Sequence, residues 1–404
     1  MTGVVITGMG AISAVGHDAA ACWTAMREGR PGIGPIAAIP AELLTVRVAA
    51  EVRDFDPRRH FDDKRLTLLD RVTQFALVAA REAVAQSGIE FGKDGLGDRT
   101  AVVIGTGIGG ECTHDEGMRR LYGERNPRLH PLTIVRTMSN APACHITLEF
   151  GLTGPAFAVV SACASANHAL AQAFQMVRSG QVDVALAGGT EACITLGAFK
   201  AWEAMRVLAD DTCRPFCRQR RGVVLGEGAG VFVLETVEHA RRRGAAVLAE
   251  FAGAGMSADA MDIVAPSENG AARAMQAALN DAQLSAQDVG YINAHGTGTL
   301  ANDPTETAAI RRVFGAHANA LLVSSTKSVH GHALGASGAI ELVAAIGALR
   351  EGVVPPTANF VDPDPQCDLD YVPNTARQRP LGAVLSNSFA FGGLNAVVAL
   401  RRAI

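Results

Sequence analysis

Short apolar runs of strand character alternate with runs of helical spacing along the whole chain, and no other feature leaves so few folds open. Strands are predicted at 4–8, 100–105, 182–188 and 231–235, with helices at 19–28 and 68–87. In the longer helix Leu68, Val72, Phe75, Ala76, Ala79 and Ala83 fall near one face, the stripe an amphipathic helix buries. The second half repeats the logic. Its strands are predicted at 248–254, 289–294, 321–325, 383–387 and 395–400, and its helices at 270–282, 305–314 and 337–349. This order predicts an α/β chain around a largely buried sheet. The repetition reads as a two-fold internal duplication with a seam near Ala245, giving halves 1–245 and 246–404. Irregular, Pro-containing stretches at 106–145 and 192–226 read as insertions over the sheet ends, where loops carry substrate contacts.

A chain of 404 residues buries a large core, and 48% hydrophobic against 19% charged residues fits a well-packed soluble enzyme. The formal net charge of -4 argues against a general nucleic-acid binder, and the basic run 241–243 is too short to track a phosphate backbone. Eight cysteines in this length do not suggest a disulfide scaffold. The first residues enter a strand pattern with no basic-then-apolar leader, and no run approaches the ~20 apolar residues of a membrane span. The expected setting is therefore a reducing cytoplasm, in which a free thiol persists.

One thiol stands out. The apolar run from Phe157 reads as a buried strand stopping at Ala162, and helical spacing begins just after Cys163. That puts Cys163 at a strand-to-helix turn, where the positive end of a helix favours thiolate. Two further turns of small residues carry imidazoles: Asn293-Ala-His295-Gly-Thr-Gly-Thr299 and Lys327-Ser-Val-His-Gly-His332. A thiol with two imidazoles is a nucleophile with its proton and charge handlers.

Blander readings stand beside these. Free cysteines are usually buried structural thiols, and Cys22, Cys112, Cys144, Cys193 and Cys367 keep that reading. Cys213 and Cys217 lack a second pair at zinc-ligand spacing, and His330 and His332 have no carboxylate partner nearby, so no metal is expected. His295 alone reads equally as a cap or core residue. Its following glycines let a substrate approach the backbone, and the threonine hydroxyls suit an amide-rich arm. Gly105-Thr-Gly-Ile-Gly-Gly110 matches the dinucleotide pattern G-x-G-x-x-G. That pattern wants an acid about twenty residues on, at the end of a strand. Glu124 has the distance, but 111–130 reads as loop or helix, so the glycines read as a tight loop near the thiol. In Ser386-Asn-Ser-Phe389-Ala-Phe391-Gly392-Gly393 the two rings are either core or a mobile gate hinged on the glycine pair.

Taken jointly, Ser161-Ala-Cys163-Ala-Ser, His295-Gly-Thr-Gly-Thr, Lys327-Ser-x-x-Gly-His332, Gly226-Glu-Gly-Ala-Gly230 and Phe-Gly-Gly resemble the β-ketoacyl-[acyl-carrier-protein] synthases, closest to their type II branch, over nearly the whole chain. The resemblance implies a thiolase-like fold of two duplicated halves layered α-β-α-β-α. It implies decarboxylative condensation of an acyl thioester with malonyl-[acyl-carrier-protein], without a cofactor. Cys163 resembles the nucleophile, and His295 and His332 the decarboxylation pair. Lys327 would orient His332 and hold the charge balance, with Glu341 supporting that network. Thr297 and Thr299 match the threonines that bind the phosphopantetheine arm. Backbone amides of Cys163 and Phe391 would form the oxyanion hole, and Ile108 and Phe391 would gate the acyl tunnel, with Phe389 and Gly392 in the same substrate-facing segment. The implied partners are an acyl carrier protein and a second subunit, identical or homologous.

Three segments depart from the family pattern. Arg214-Pro-Phe-Cys217…Arg220-Arg221-Gly-Val223 lacks two acids and an aromatic, Asp259-Ala-Met-Asp262-Ile-Val264 lacks a threonine, and Leu394 replaces another. They resemble specialised relatives, of nodulation or polyene type, more than housekeeping elongation enzymes, and Val223 implies a roomier acyl channel. Three alternatives remain to be weighed: a non-catalytic chain-length-factor partner, which lacks the cysteine; a degradative thiolase, which lacks the histidine pair; and a nicotinamide dehydrogenase, resting on 105–110 alone.

Overall fold

The computed structural model describes residues 3–92 and 95–403. Ten strands form one sheet: β1 (Val4–Ser13), β2 (Thr100–Gly105), β3 (Ala156–Val159), β4 (Val184–Glu191), β5 (Gly228–Thr236), β6 (Ala249–Ala258), β7 (Val289–Asn293), β8 (Leu322–Ser324), β9 (Ala383–Ala390) and β10 (Leu394–Arg401). Their order is β8-β7-β9-β10-β6-β1-β5-β4-β2-β3. Read outward from the centre, each set of five has its first strand innermost, then its fifth, fourth, second and third. Directions match as well: β1–β5 and β4–β5 are antiparallel, β2–β4 and β2–β3 parallel, and β6–β10, β9–β10, β7–β9 and β7–β8 repeat that pattern in turn. The sets meet only where Val4, Val5 and Ile6 pair with Phe251, Glu250 and Ala249.

Seven helices position the site: α1 (Arg71–Ser87), α2 (Ser165–Arg178), α3 (Leu196–Met205), α4 (Glu268–Ala282), α5 (Asn302–Phe314), the single turn α6 (Lys327–His330) and α7 (Ser337–Glu351). α1 packs on β1 and β5, and α4 on β6 and β10, with α5 beside it. α2 and α7 pack on strands of both sets, so the sheet wraps round them and the layers run α-β-α-β-α. α7 is buried all round, at every residue from Ser337 to Leu349, as a central-layer helix must be.

Most predicted elements lie within a few residues of their observed bounds, and two differences have clear causes. The first strand runs to Ser13, not 8, because Gly8 and Gly10 are packing sites inside it rather than its end. A Cβ on Gly10 would stand 2.0 Å from the Ala79 carbonyl oxygen, and one on Gly8 2.1 Å from that of Ala83, so these glycines seat α1 against the sheet. The strand before Cys163 ends at Val159, and it is half exposed at the sheet edge rather than buried. The stretches 106–145 and 192–226 contain the helices Glu111–Met118, Thr133–Thr137 and Leu196–Met205 among irregular turns. Among the described residues no helix is long and apolar enough to cross a membrane.

Gly10→Ala therefore forces β1 off α1. We expect destabilisation of about 1–3 kcal/mol, the usual cost of overpacking, read as a lower denaturant midpoint at unchanged slope. An unchanged midpoint would show that this contact does not fix the layer spacing.

Candidate active site

Cys163 sits in a one-turn 3-10 segment, Ala162–Ala164, between β3 and α2. The turn is sharp enough to hold Ala162 at a φ of 48°, a strained value for a residue with a Cβ. Ser165 secures it, accepting from the Ser161 amide at 2.9 Å and donating to the Ala162 carbonyl at 2.7 Å. The backbone amides of Cys163 and Phe391 both face the sulfur. Cys163 is only 6% exposed. Burial pushes its thiol up to about 11, against Lys327 and the two amides. The amides favour thiolate as expected at the helix end, but removal from water outweighs them.

His295 follows β7 in a turn built on a carboxylate. Glu306, on the buried face of α5, accepts from the His295 amide at 2.9 Å and the Gly296 amide at 2.8 Å. Behind His295 lies Lys327, with no exposure at all. Its ammonium donates to the His295 carbonyl at 2.7 Å, approaches the His295 Nδ1 at 3.5 Å and pairs with Glu341 on α7. Lys327 therefore holds His295, not His332 as the sequence suggested. His332 is held instead by Ser337, whose hydroxyl lies 2.7 Å from its Nδ1. The two imidazoles are 5.5 Å apart and nearly perpendicular, at 83°. Burial, then the Lys327 charge, lowers both far below the usual histidine range, so both are neutral. Burial pushes the Glu341 and Glu306 carboxyls up, and Lys327 opposes the rise in each.

Cys163, His295 and His332 line one cavity of about 100 Å³ with Thr297, Thr299, Phe389 and Phe391. The threonine hydroxyls are 3.0 Å apart at its wall. Phe389 is fixed within β9 and meets His295 edge-on, with ring centroids 6.1 Å apart. Phe391 stands at the β9–β10 turn, where Gly392 and Gly393 take φ of 81° and 69°. That turn is tied to the neighbouring loop by Gly392 donating to the Ile263 carbonyl at 2.8 Å and Asp259 donating to Gly393 at 2.9 Å. Of the predicted pair of rings, only Phe391 stands at the glycine turn, while Phe389 lies within the strand. Val223 and Val264 line the cavity as the departures implied, but Trp202 and Val207 stand in the same wall, and the Trp202 ring stacks on Phe391.

Lys327 and Glu341 lie behind the cavity rather than on it, and Ile108 and Gly392 are outside its lining. Ile108 is 37% exposed, on the glycine-rich loop after β2. The loop's amides are already occupied: Gly107 and Ile108 donate to buried Glu191 at 2.7 and 3.2 Å. A pyrophosphate has no free amide cradle there, which removes the dinucleotide reading. His330 bonds Thr326 through Nε2, and among the described residues no cluster of three or more His, Cys, Asp or Glu could hold a metal ion.

Sequence reasoning missed Glu306, Glu191, Ser337 and Trp202. Glu306 left a readable signal, since Asp303, Glu306, Thr307 and Ile310 share one helical face, which marks an acid on the side that packs. Ser337 left none, because its contact depends on a turn that brings it back to a histidine five residues earlier.

The fold is that of the thiolase-like condensing enzymes. The chain belongs to the β-ketoacyl synthase family: its N-terminal domain model matches residues 1–240 and its C-terminal domain model residues 248–361. Nodulation protein E of Rhizobium meliloti (strain 1021) is 49% identical, over 99% of each chain. The 3-oxoacyl-[acyl-carrier-protein] synthase 2 of Staphylococcus aureus (strain N315) is 42% identical, over 99% of this chain and 98% of the other. Among solved structures, the ishigamide ketosynthase/chain length factor superposes with a TM-score of 0.95 at 37% identity, over 100% of both chains.

A thiol raised to about 11 gives a pH test. Alkylation of Cys163 by iodoacetamide, followed on its own peptide because exposed Cys144 competes, should climb about tenfold per pH unit from 7 to 9, as thiolate controls the rate. A plateau below pH 8 would mean that the resting protein holds a thiolate after all.

Proposed function

We propose that the chain catalyses decarboxylative condensation of a Cys163-bound acyl thioester with malonyl-[acyl-carrier-protein], giving a 3-oxoacyl-[acyl-carrier-protein] in fatty acid or type II polyketide chain elongation. The observation that carries this reading is the convergence of one thiol and two neutral imidazoles, from opposite halves of the sheet, on a single narrow cavity.

The chemistry follows in three stages. Cys163 Sγ attacks the acyl thioester, and its proton leaves with the carrier protein's thiol. Malonyl-carrier protein then loses carbon dioxide. The bonding electrons pass to the thioester as an enolate, whose oxygen takes hydrogen bonds from His295 and His332. Finally the enolate carbon attacks the Cys163 thioester. The resulting oxyanion lies against the amides of Cys163 and Phe391, and collapse expels the Cys163 sulfur, which regains a proton from solvent. Thr297 and Thr299 would receive the phosphopantetheine arm, with Phe389 as wall and Phe391, Gly392 and Ile108 as gating positions. Every step balances without a cofactor.

We read 1–245 as the half carrying the nucleophile and its capping insertions, and 246–404 as the half carrying the histidine pair; the repeated strand order supports the division. The chemistry calls for an acyl carrier protein, and likeness to solved ketosynthase/chain length factor structures supports a second subunit that is a copy or a homologue. Eight unpaired cysteines support a reducing, cytoplasmic setting. The other reading, a non-catalytic chain-length-factor partner, is favoured only by likeness to solved structures that include such a factor. The intact set of Cys163, His295 and His332 argues against it, and a degradative thiolase lacks the histidine pair.

Intact-mass analysis with acyl- and malonyl-carrier protein tests the assignment. Cys163→Ala should form no acyl-enzyme. His295→Ala and His332→Ala should still acylate Cys163 but lose malonyl decarboxylation by about 10²–10³, the cost of one oxyanion donor. Lys327→Ala should damage the same step through His295. Acyl-enzyme on Cys163→Ala, or wild-type decarboxylation in both histidine variants, would sink the reading.

A further inference from the structure

The structure gives His332 a partner outside the motif that brought it to attention. Ser337, the first residue of α7, is fully buried, and its hydroxyl lies 2.7 Å from the His332 Nδ1. Among the described residues that is the only hydrogen bond its side chain makes. We propose that Ser337 is a positioning residue for condensation: its hydroxyl donates to the Nδ1 of His332 and so keeps the ring's proton on Nε2.

Counting donors and acceptors carries the argument. A neutral imidazole has one N–H and one bare nitrogen. If Nδ1 bore the proton, it would donate to the Ser337 oxygen, and the hydroxyl hydrogen would be left without an acceptor in a dry interior. If Nδ1 is bare, it accepts that hydrogen and both groups are satisfied. The second arrangement leaves Nε2–H as the remaining donor of a cavity-lining ring. Burial keeps the ring from becoming imidazolium, which would donate from both nitrogens. Lys327 gives His295 the same instruction by other means. An ammonium only donates, so its approach to the His295 Nδ1 at 3.5 Å also favours a bare Nδ1 and Nε2–H. Two different side chains thus set two perpendicular rings to one tautomer.

The geometry that brings Ser337 back to His332 is itself anchored. The intervening turn, Leu334–Ala336, holds Leu334 at a φ of 42°. The Gly335 amide donates to buried Glu191 at 2.9 Å, so the turn is tied to the far side of the site. On the other flank the His332 amide and carbonyl bond Val224 and Gly226 at 2.7 and 2.9 Å. With its backbone fixed on both sides, His332 keeps one undetermined feature, the location of its proton, and Ser337 is the group in contact with it.

This inference rests on the proposed decarboxylation role of His332, and the experiment separates the two. Malonyl-carrier-protein decarboxylation and Cys163 acylation are measured for wild type, Ser337→Ala, Ser337→Thr and His332→Ala. Ser337→Ala should lose decarboxylation roughly 10–100-fold, the usual effect of removing the group that orients an imidazole through its second nitrogen, with acylation unchanged. Ser337→Thr, which keeps the hydroxyl, should restore the rate. Nitrogen NMR of histidine-labelled wild-type enzyme needs no variant: His332 should show the neutral Nε2–H tautomer. Decarboxylation retained in Ser337→Ala but lost in His332→Ala would overturn the role of Ser337 alone. So would equal loss of both activities in Ser337→Ala, which marks a merely structural role, or an Nδ1–H tautomer in wild type. Decarboxylation retained in His332→Ala would instead remove the reading beneath it.

Discussion

One buried cation acts on nearly every titratable group in this site. Lys327 has no exposure, and its charge bears on Cys163, His295, His330, His332, Glu306 and Glu341. It lowers the thiol and the two carboxyls, and it disfavours a proton on each imidazole. Removing an ammonium from water costs several kcal/mol, so the pair with Glu341 is poor evidence of added stability. Its value is electrostatic order. A cation fixed 2.7 Å from the His295 carbonyl adds to burial in keeping the histidines neutral, and the proposed decarboxylation calls on neutral imidazoles as donors. A histidine already charged would attract the malonyl carboxylate instead, and so oppose its loss as neutral carbon dioxide.

Such a charge is held only if the surrounding backbone is rigid, and the layered sheet supplies that. Lys327 follows β8, Cys163 follows β3 and His295 follows β7, so all three stand beyond the ends of parallel strands. These are the third, third and second strands of the two sets, and repetition of the order brings the corresponding ends together across α2 and α7. Small residues make the approach close: a Cβ on Gly338 would stand 2.4 Å from Asn167 Oδ1, so α7 and α2 nearly touch directly behind the site. The dry interior that lifts the thiol to about 11 is the same one that strengthens the field of Lys327. The raised thiol and the neutral histidines are two results of one packing.

The sequence carried the architecture because its period is strong in both halves, and it carried the nucleophile and histidines because each lies in a compact turn of small residues. What it hid was contact between segments. Lys327 and His332 share a motif, so the lysine was assigned to that histidine. Distance along the chain misled there, because α6 turns the ammonium away towards a histidine 32 residues earlier. The thiolate expectation failed for a related reason. A helix end is visible in a sequence, but the depth at which Cys163 is buried depends on Phe389, Phe391 and Val223 arriving from elsewhere. Gly8 and Gly10 show the same limit in the fold: as letters they break a strand, whereas in space they admit a helix.

The departures from the family pattern take on a different meaning once the wall of the cavity is seen. Val223 in place of an aromatic suggested a roomier channel, yet the cavity is only about 100 Å³. Trp202, from the insertion that the sequence marked as a cap, lies in that same wall and stacks on Phe391 with centroids 5.9 Å apart. The aromatic surface missing at 223 is therefore supplied from a helix, and it is joined to the turn whose amide faces Cys163. A ring at the β9–β10 turn held by a ring on α3 joins the wall of the cavity to the amide that faces Cys163. Gly392 and Gly393 take left-handed φ directly after Phe391, so this wall of the cavity is set by one turn and one stacked pair of rings rather than by the volume of any single side chain.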